Sequence, residues 1–120
     1  MSMSGVYRTE SGLTDAAWSK LYPYFLEFRK EVNVKNEDTT RRFVERVFWV
    51  IRTGGQWRSL GDDWNAVYRR FADWAKLGIW YKMLYYFQKE PDMEFIMVDS
   101  TILRAHACSA GAKKGGLNTD

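Results

Sequence analysis

Among the side chains that could do chemistry, Asp99 comes first. It closes the run Glu94-Phe95-Ile96-Met97-Val98, which has no helical period and reads as a buried strand ending in an acid. Metal-dependent nucleic-acid enzymes place a carboxylate at such a strand end, because hard cations such as Mg2+ take oxygen ligands. The same pattern also describes any strand that enters a turn through Asp, so by itself it is not diagnostic. His106 and Cys108 stand two apart but have no second pair with which to complete a zinc site of four ligands. Asp99, Ser100 and His106 lack the G-x-S-x-G elbow of a hydrolase. Gly111, Gly115 and Gly116 with Lys113 and Lys114 read as a flexible basic loop rather than a phosphate cradle.

A second group is basic and amide-bearing: Arg58, Asn65, Arg69, Arg70 and Lys76. Arg and Asn can each bond base edges in a major groove in a bidentate way, Arg to guanine and Asn to adenine. They fall in the stretch from Arg52 to Trp74, where a basic-apolar helix ends at Gly54-Gly55. A very short piece, Trp57-Arg58-Ser59-Leu60, follows, and Gly61-Asp62-Asp63 opens another amphipathic run. Written as sequence, this is a helix-turn-helix. Arg58 also has a plain reading, as a cover over its neighbours Trp57 and Leu60.

The elements that must position these residues read as mainly α. Residues 1–12 form a polar leader. Thr14 is placed to cap a first helix, with Leu13 as a staple onto Trp18; Pro23 predicts a break or kink just before it. A polar connector, Glu31 to Asp38, leads to a second helix from about Thr39 to Thr53, with Asp38 as cap and Gly54 as stop. Asp62 or Asp63 caps a third, from about Trp64 to Leu77. There Trp64, Val67, Phe71 and Trp74 recur at three- and four-residue spacing and should face inward. Asn65, Arg69, Asp73 and Lys76 are then left to solvent, with Arg70 at the margin. Gly78 ends this helix, and Ile79 to Lys89 reads as a fourth, with Trp80, Leu84 and Phe87 inward. After the turn at Glu90-Pro91-Asp92 come the strand ending at Asp99, an extended segment to Cys108 and a flexible tail.

Composition sets bounds on this picture. With 120 residues, 46% hydrophobic and 17% aromatic, the chain can build one compact core. A net charge of +3 and a pI of about 9.0 are compatible with a polyanionic partner. The single cysteine cannot form an internal disulfide, which fits a reducing, cytosolic compartment. The N-terminus carries no signal-peptide pattern, and no run approaches the length of a membrane span.

The ordered motifs resemble the N-terminal part of transposases of the IS5 family of bacterial insertion sequences, the group with an IS402-like N-terminal domain. The matching residues are Leu13-Thr14-Asp15 with Trp18, Trp49 through Leu60, and Trp64 through Phe71 with Trp74. Val98 through His106 and Ala110 through Lys114 complete the match. The resemblance implies a small helical DNA-binding domain at residues 13–90. Residues 91–120 would then hold the first strand of an incomplete RNase H-like (DDE) α/β domain, with a mobile tail.

By the same resemblance, Asp99 is the first catalytic aspartate and a Mg2+ ligand. The second Asp and the Glu are not in this chain, so it should not cleave or join DNA alone. Mg2+ would bind only in the completed catalytic domain. The implied partners are double-stranded DNA of the terminal inverted repeats and the remainder of the transposase, supplied by frameshift fusion or as a second-frame product. A homodimer is left open, and the setting would be the bacterial cytoplasm, at the nucleoid. Two further readings stay open: a stand-alone first-frame product that represses or competes with transposition, and a helical interaction domain that binds no DNA.

Overall fold

The computed structural model describes residues 10–112. The expectations of a leader before Glu10 and of a mobile tail after Ala112 lie outside these residues. Six α-helices and two 3-10 turns, with no strand, make up the described part. In order they are α1 (Asp15–Leu26), α2 (Glu37–Thr53), a 3-10 turn (Trp57–Leu60), α3 (Trp64–Lys76), α4 (Ile79–Tyr86), a second 3-10 turn (Pro91–Met93), α5 (Glu94–Met97) and α6 (Ser100–Ser109). None of the helices is long and apolar enough to cross a membrane.

Thr14 caps α1 as its sequence suggests, its side chain accepting from Ala17 N. The helix then runs through Pro23 to Leu26 without the expected break. Pro23 removes one backbone bond but lies on the exposed side, while Leu21 and Phe25 on either side of it are fully buried. Packing of those two residues outweighs the lost bond. The cap of α2 is Asn36 rather than Asp38: Asn36 accepts from Thr39 N. Asp38 sits instead within the first turn, where a carboxylate still meets the positive end of the helix. Gly54 ends α2 at φ 67°, a left-handed conformation that a side chain would strain.

The core is aromatic. Trp80 of α4 stacks on Trp74 of α3 with ring centroids 5.2 Å apart, and on Phe71 at 5.2 Å. Its indole N–H donates to the Phe71 carbonyl at 3.1 Å, so the one polar atom brought inside is satisfied. Phe25 from α1 and Phe43 from α2 pack on Trp74 at 5.0 and 4.9 Å, which joins four helices around one indole. Arg41 ties the entry of α1 to α2. It pairs with Asp15 at 2.8 Å and with the buried Glu45 at 3.1 Å.

The segment after Glu90 departs from the expected strand. Residues 94–97 and 100–109 are helical, and Asp99 stands at the N-terminal edge of α6 rather than at a strand end. A lone strand leaves its backbone groups unpaired, whereas a helix satisfies them within itself. The apolar residues also serve the helical form: Met93, Ile96, Leu103 and Ala107 are completely buried in the same core as α1–α4. Lys20 of α1 clamps the preceding turn by pairing with Glu90 at 2.8 Å and Asp92 at 2.7 Å.

Leu103→Ala should therefore cost about 2–5 kcal/mol in urea unfolding followed by circular dichroism. A change below about 0.5 kcal/mol, the range of surface substitutions, would show that α6 is not part of the cooperative unit.

Candidate nucleic-acid interface

The stretch from α2 to α3 is held as one piece by Arg46. Its guanidinium donates from Nη1 to Asp63 Oδ2 at 2.9 Å and from Nη2 to the Leu60 carbonyl at 3.2 Å. Arg46 beside Asp63 holds that carboxyl below the usual carboxylate range. Asp63 occupies the N-cap position of α3, but its side chain makes no capping bond; it faces Arg46 instead. The start of α3 is thus fastened to α2 from outside the core.

The short 3-10 turn between them packs inward through Leu60 and Trp57. The Trp57 ring lies 4.7 Å from Phe71 and 5.4 Å from Tyr68. Its indole N–H donates to Nδ1 of His106 on α6 at 3.3 Å, the two rings edge to face. His106 must be neutral to accept there, and burial pushes its pKa below the ordinary histidine value.

Docked in this way, α3 separates its residues sharply. Val67, Phe71, Trp74 and Ala75 are buried, while Asn65, Arg69, Asp73 and Lys76 form one exposed row. The expected inward position of Trp64 is only half met, since it is partly exposed. The side chains of Asn65 and Arg69 make no hydrogen bond, ion pair or ring contact among the described residues. Lys76 lays its stem along Gly111 at the end of α6 and makes no ion pair there.

The other two basic residues of this region are engaged. Arg70 lies over the Phe43 ring at 4.5 Å and the Trp74 ring at 5.5 Å, and donates to the Asn33 carbonyl at 2.6 Å. Burial pushes its pKa down. Arg58 lies 5.5 Å from the Trp64 ring, with its side chain exposed. The row on α3 is mixed in charge, because Asp62 and Asp73 are exposed beside Arg69 and Lys76.

Asp99 is engaged elsewhere than on this row. It pairs with Arg52 of α2, Nε to Oδ2 at 3.5 Å. The Arg52 guanidinium lies 5.6 Å from the Phe95 ring and against Gly12, where a Cβ would come within 1.8 Å of Nη1. No group of three or more His, Cys, Asp or Glu side chains gathers among the described residues. The surroundings of Asp99, one carboxylate facing a guanidinium, do not fit a Mg2+ site.

Arg46 and His106 were not singled out from the sequence for these roles. Their partners lie 17 and 49 residues away in the chain, beyond the reach of any local pattern. Nothing local marks Arg46, which follows Arg41, Arg42 and Glu45 in the sequence like any charged residue of α2.

The Trp57–His106 contact predicts a pH dependence. A depressed folded-state pKa means that the unfolded chain binds the proton more readily. Stability should be fully present above the ordinary histidine pKa of 6.5 and fall as the pH drops through the lower folded value. Thermal melts from neutral pH to mildly acid pH should show this decline, and His106→Phe should remove that part of it which the acidic groups do not explain.

Comparison with known proteins fits this layout. Residues 13–84 match a family model described as "Putative transposase of IS4/5 family" (DUF4096), a span that includes Arg58, Asn65, Arg69, Arg70 and Lys76 and ends before Asp99. The chain is also similar to "Uncharacterized protein y4sN" of Sinorhizobium fredii (strain NBRC 101917 / NGR234), 36% identical over 110 residues. That alignment covers 88% of this chain and 87% of the relative. No solved structure matches it. Because the family model takes in more than half of its length, the protein belongs to this IS4/5 transposase family.

Proposed function

We propose that the chain is the DNA-binding N-terminal part of an IS5-type transposase with an IS402-like domain. It would recognise the terminal inverted repeats of its element through a helix-turn-helix made by α2, the 3-10 turn and α3. The observation that carries this reading is the uncommitted row on α3. Arg41, Arg42, Arg46 and Arg52 are all spent on carboxylates, whereas Asn65, Arg69 and Lys76 have no polar side-chain partner among the described residues. They stand on a helix fixed from both sides, and Arg and Asn are the residue types suited to base edges. Family membership supplies the context.

Within this reading Asn65 and Arg69 read bases and Lys76 meets phosphate. Arg58 reaches the backbone from the edge of Trp64. Arg70 contributes by position, holding α3 against Phe43 and the Asn33 carbonyl. Residues 13–90 would form the DNA-binding unit, and Asp99 would join an RNase H-like catalytic unit once the remainder of the transposase is supplied, by frameshift fusion or as a separate product. A Mg2+ site would need further carboxylates beyond those that the described residues bring together. The cell compartment that follows is the bacterial cytoplasm, at the nucleoid.

Fluorescence anisotropy with duplexes from the element's own ends, beside a scrambled duplex over a salt series, tests the proposal. The ends should bind more tightly, and affinity should fall as salt rises. Equal binding to both duplexes would sink it. Arg69→Ala should cost about 1–3 kcal/mol on the ends and relax preference at one base position. Asp99→Ala should leave binding within about twofold, well under the 1.4 kcal/mol that a tenfold change requires.

A further inference from the structure

Away from the α3 row, α1 and α4 carry a second surface that the DNA reading does not use. An open cavity of about 470 Å3 lies between α4 and the end of α1 with the turn that follows it, lined by Tyr24, Glu27, Phe28, Glu31, Lys82, Tyr85 and Tyr86. Tyr85 and Tyr86 are 62% and 70% exposed, far more than a ring needs when it only finishes a core.

Tyr86 is nevertheless held. Its ring stacks on Tyr24 at 5.8 Å with 24° between planes, and meets Phe87 edge on at 4.9 Å. Tyr24 is itself fixed, because its hydroxyl donates to the Ile79 carbonyl at 2.7 Å. One face of Tyr86 is therefore seated and the other is offered to solvent. A pre-ordered aromatic of this kind loses little entropy on contact and is the usual anchor of a protein interface.

The charges around it select the occupant. Glu27, Glu31 and Lys82 are exposed, and none of them takes part in an ion pair among the described residues. Lys82 Nζ lies over the Phe28 ring at 5.9 Å instead. Both signs on one small surface allow it to face a second copy of itself. A two-fold axis through the cavity would set Lys82 of each copy towards Glu27 and Glu31 of the other, with the two Tyr86 rings between them.

We propose that this α1–α4 surface is the contact between two copies of the chain, a closed two-fold dimer anchored by Tyr86 with Lys82 opposite Glu27 and Glu31. The proposal does not depend on the DNA reading, and either can fail alone.

Sedimentation equilibrium of the full chain over a wide concentration range tests it. The wild type should dimerise. Tyr86→Glu and Lys82→Glu should each weaken the dimer by about tenfold or more, as loss of an anchor or reversal of a facing charge does. The combined variant Lys82→Glu, Glu27→Lys, Glu31→Lys should return most of the association, because the swapped charges face each other again. Circular dichroism checks that each variant folds, as all of these side chains are exposed except for the seated face of Tyr86. A chain that stays monomeric at every concentration overturns the proposal. So does a dimer indifferent to both single changes, which would place the contact elsewhere. A combined variant as weak as Lys82→Glu would refute the two-fold pairing.

Discussion

The arrangement of this chain turns on one guanidinium. Arg46 leaves α2 and closes on Asp63 and on the Leu60 carbonyl, so the two ends of the Leu60–Asp63 turn are bound to a single planar group. A planar fork resists rotation in a way that a lysine at this place could not. The consequence is geometric. Once the turn is fixed, the 3-10 residues before it must lie against Phe71 and Tyr68 through Trp57, and α3 after it must leave at one angle. The contact is partly exposed, so its net contribution to stability is small. Its importance lies in orientation, since the hydrophobic core alone would tolerate some rotation of α3 about its own axis.

The core sets the other half of that orientation. Trp74 meets Phe25, Phe43 and Trp80, so turning α3 would pull its largest side chain from three partners at once. With Arg46 at the start of α3 and Trp74 near its end, the exposed row of Asn65, Arg69, Asp73 and Lys76 has a defined direction. Held in that direction, Asn65 and Arg69 differ from Arg42, which pairs with Asp38 at 2.6 Å on the exposed side of α2.

The local part of the fold was legible in the sequence because its causes are local. Thr14 caps, Gly54 stops α2, and the spacing of Val67, Phe71 and Trp74 marks the buried side of α3. Three features were not legible, each for its own reason. Pro23 looks like a break when counted by backbone bonds alone, but burial of Leu21 and Phe25 carries the helix through it. Residues 94–109 look extended because a short apolar run has no period to read. Only the presence of α1–α4 beside it, offering a surface for Met93, Ile96 and Leu103, makes the helical form the better one. The candidate interface was legible by residue type and not by engagement: Arg69 and Arg70 are adjacent and alike in sequence, yet one is uncommitted and the other lies over two rings.

Asp99 shows the same division between residue type and surroundings. Its carboxylate has the chemistry of a metal ligand, but here it faces Arg52, whose guanidinium is hemmed in by Phe95 and by the backbone of Gly12. A cation beside a carboxylate satisfies the charge that a divalent ion would otherwise satisfy, and the two compete for the same oxygens. Arg52 also belongs to α2, the helix whose Arg46 fastens the start of α3. Asp99 and the start of α3 are thus tied to one element, α2, through Arg52 and Arg46, which stand less than two turns apart along it. The Arg52–Asp99 pair thereby fastens the start of α6 to α2, as Arg46 fastens the start of α3.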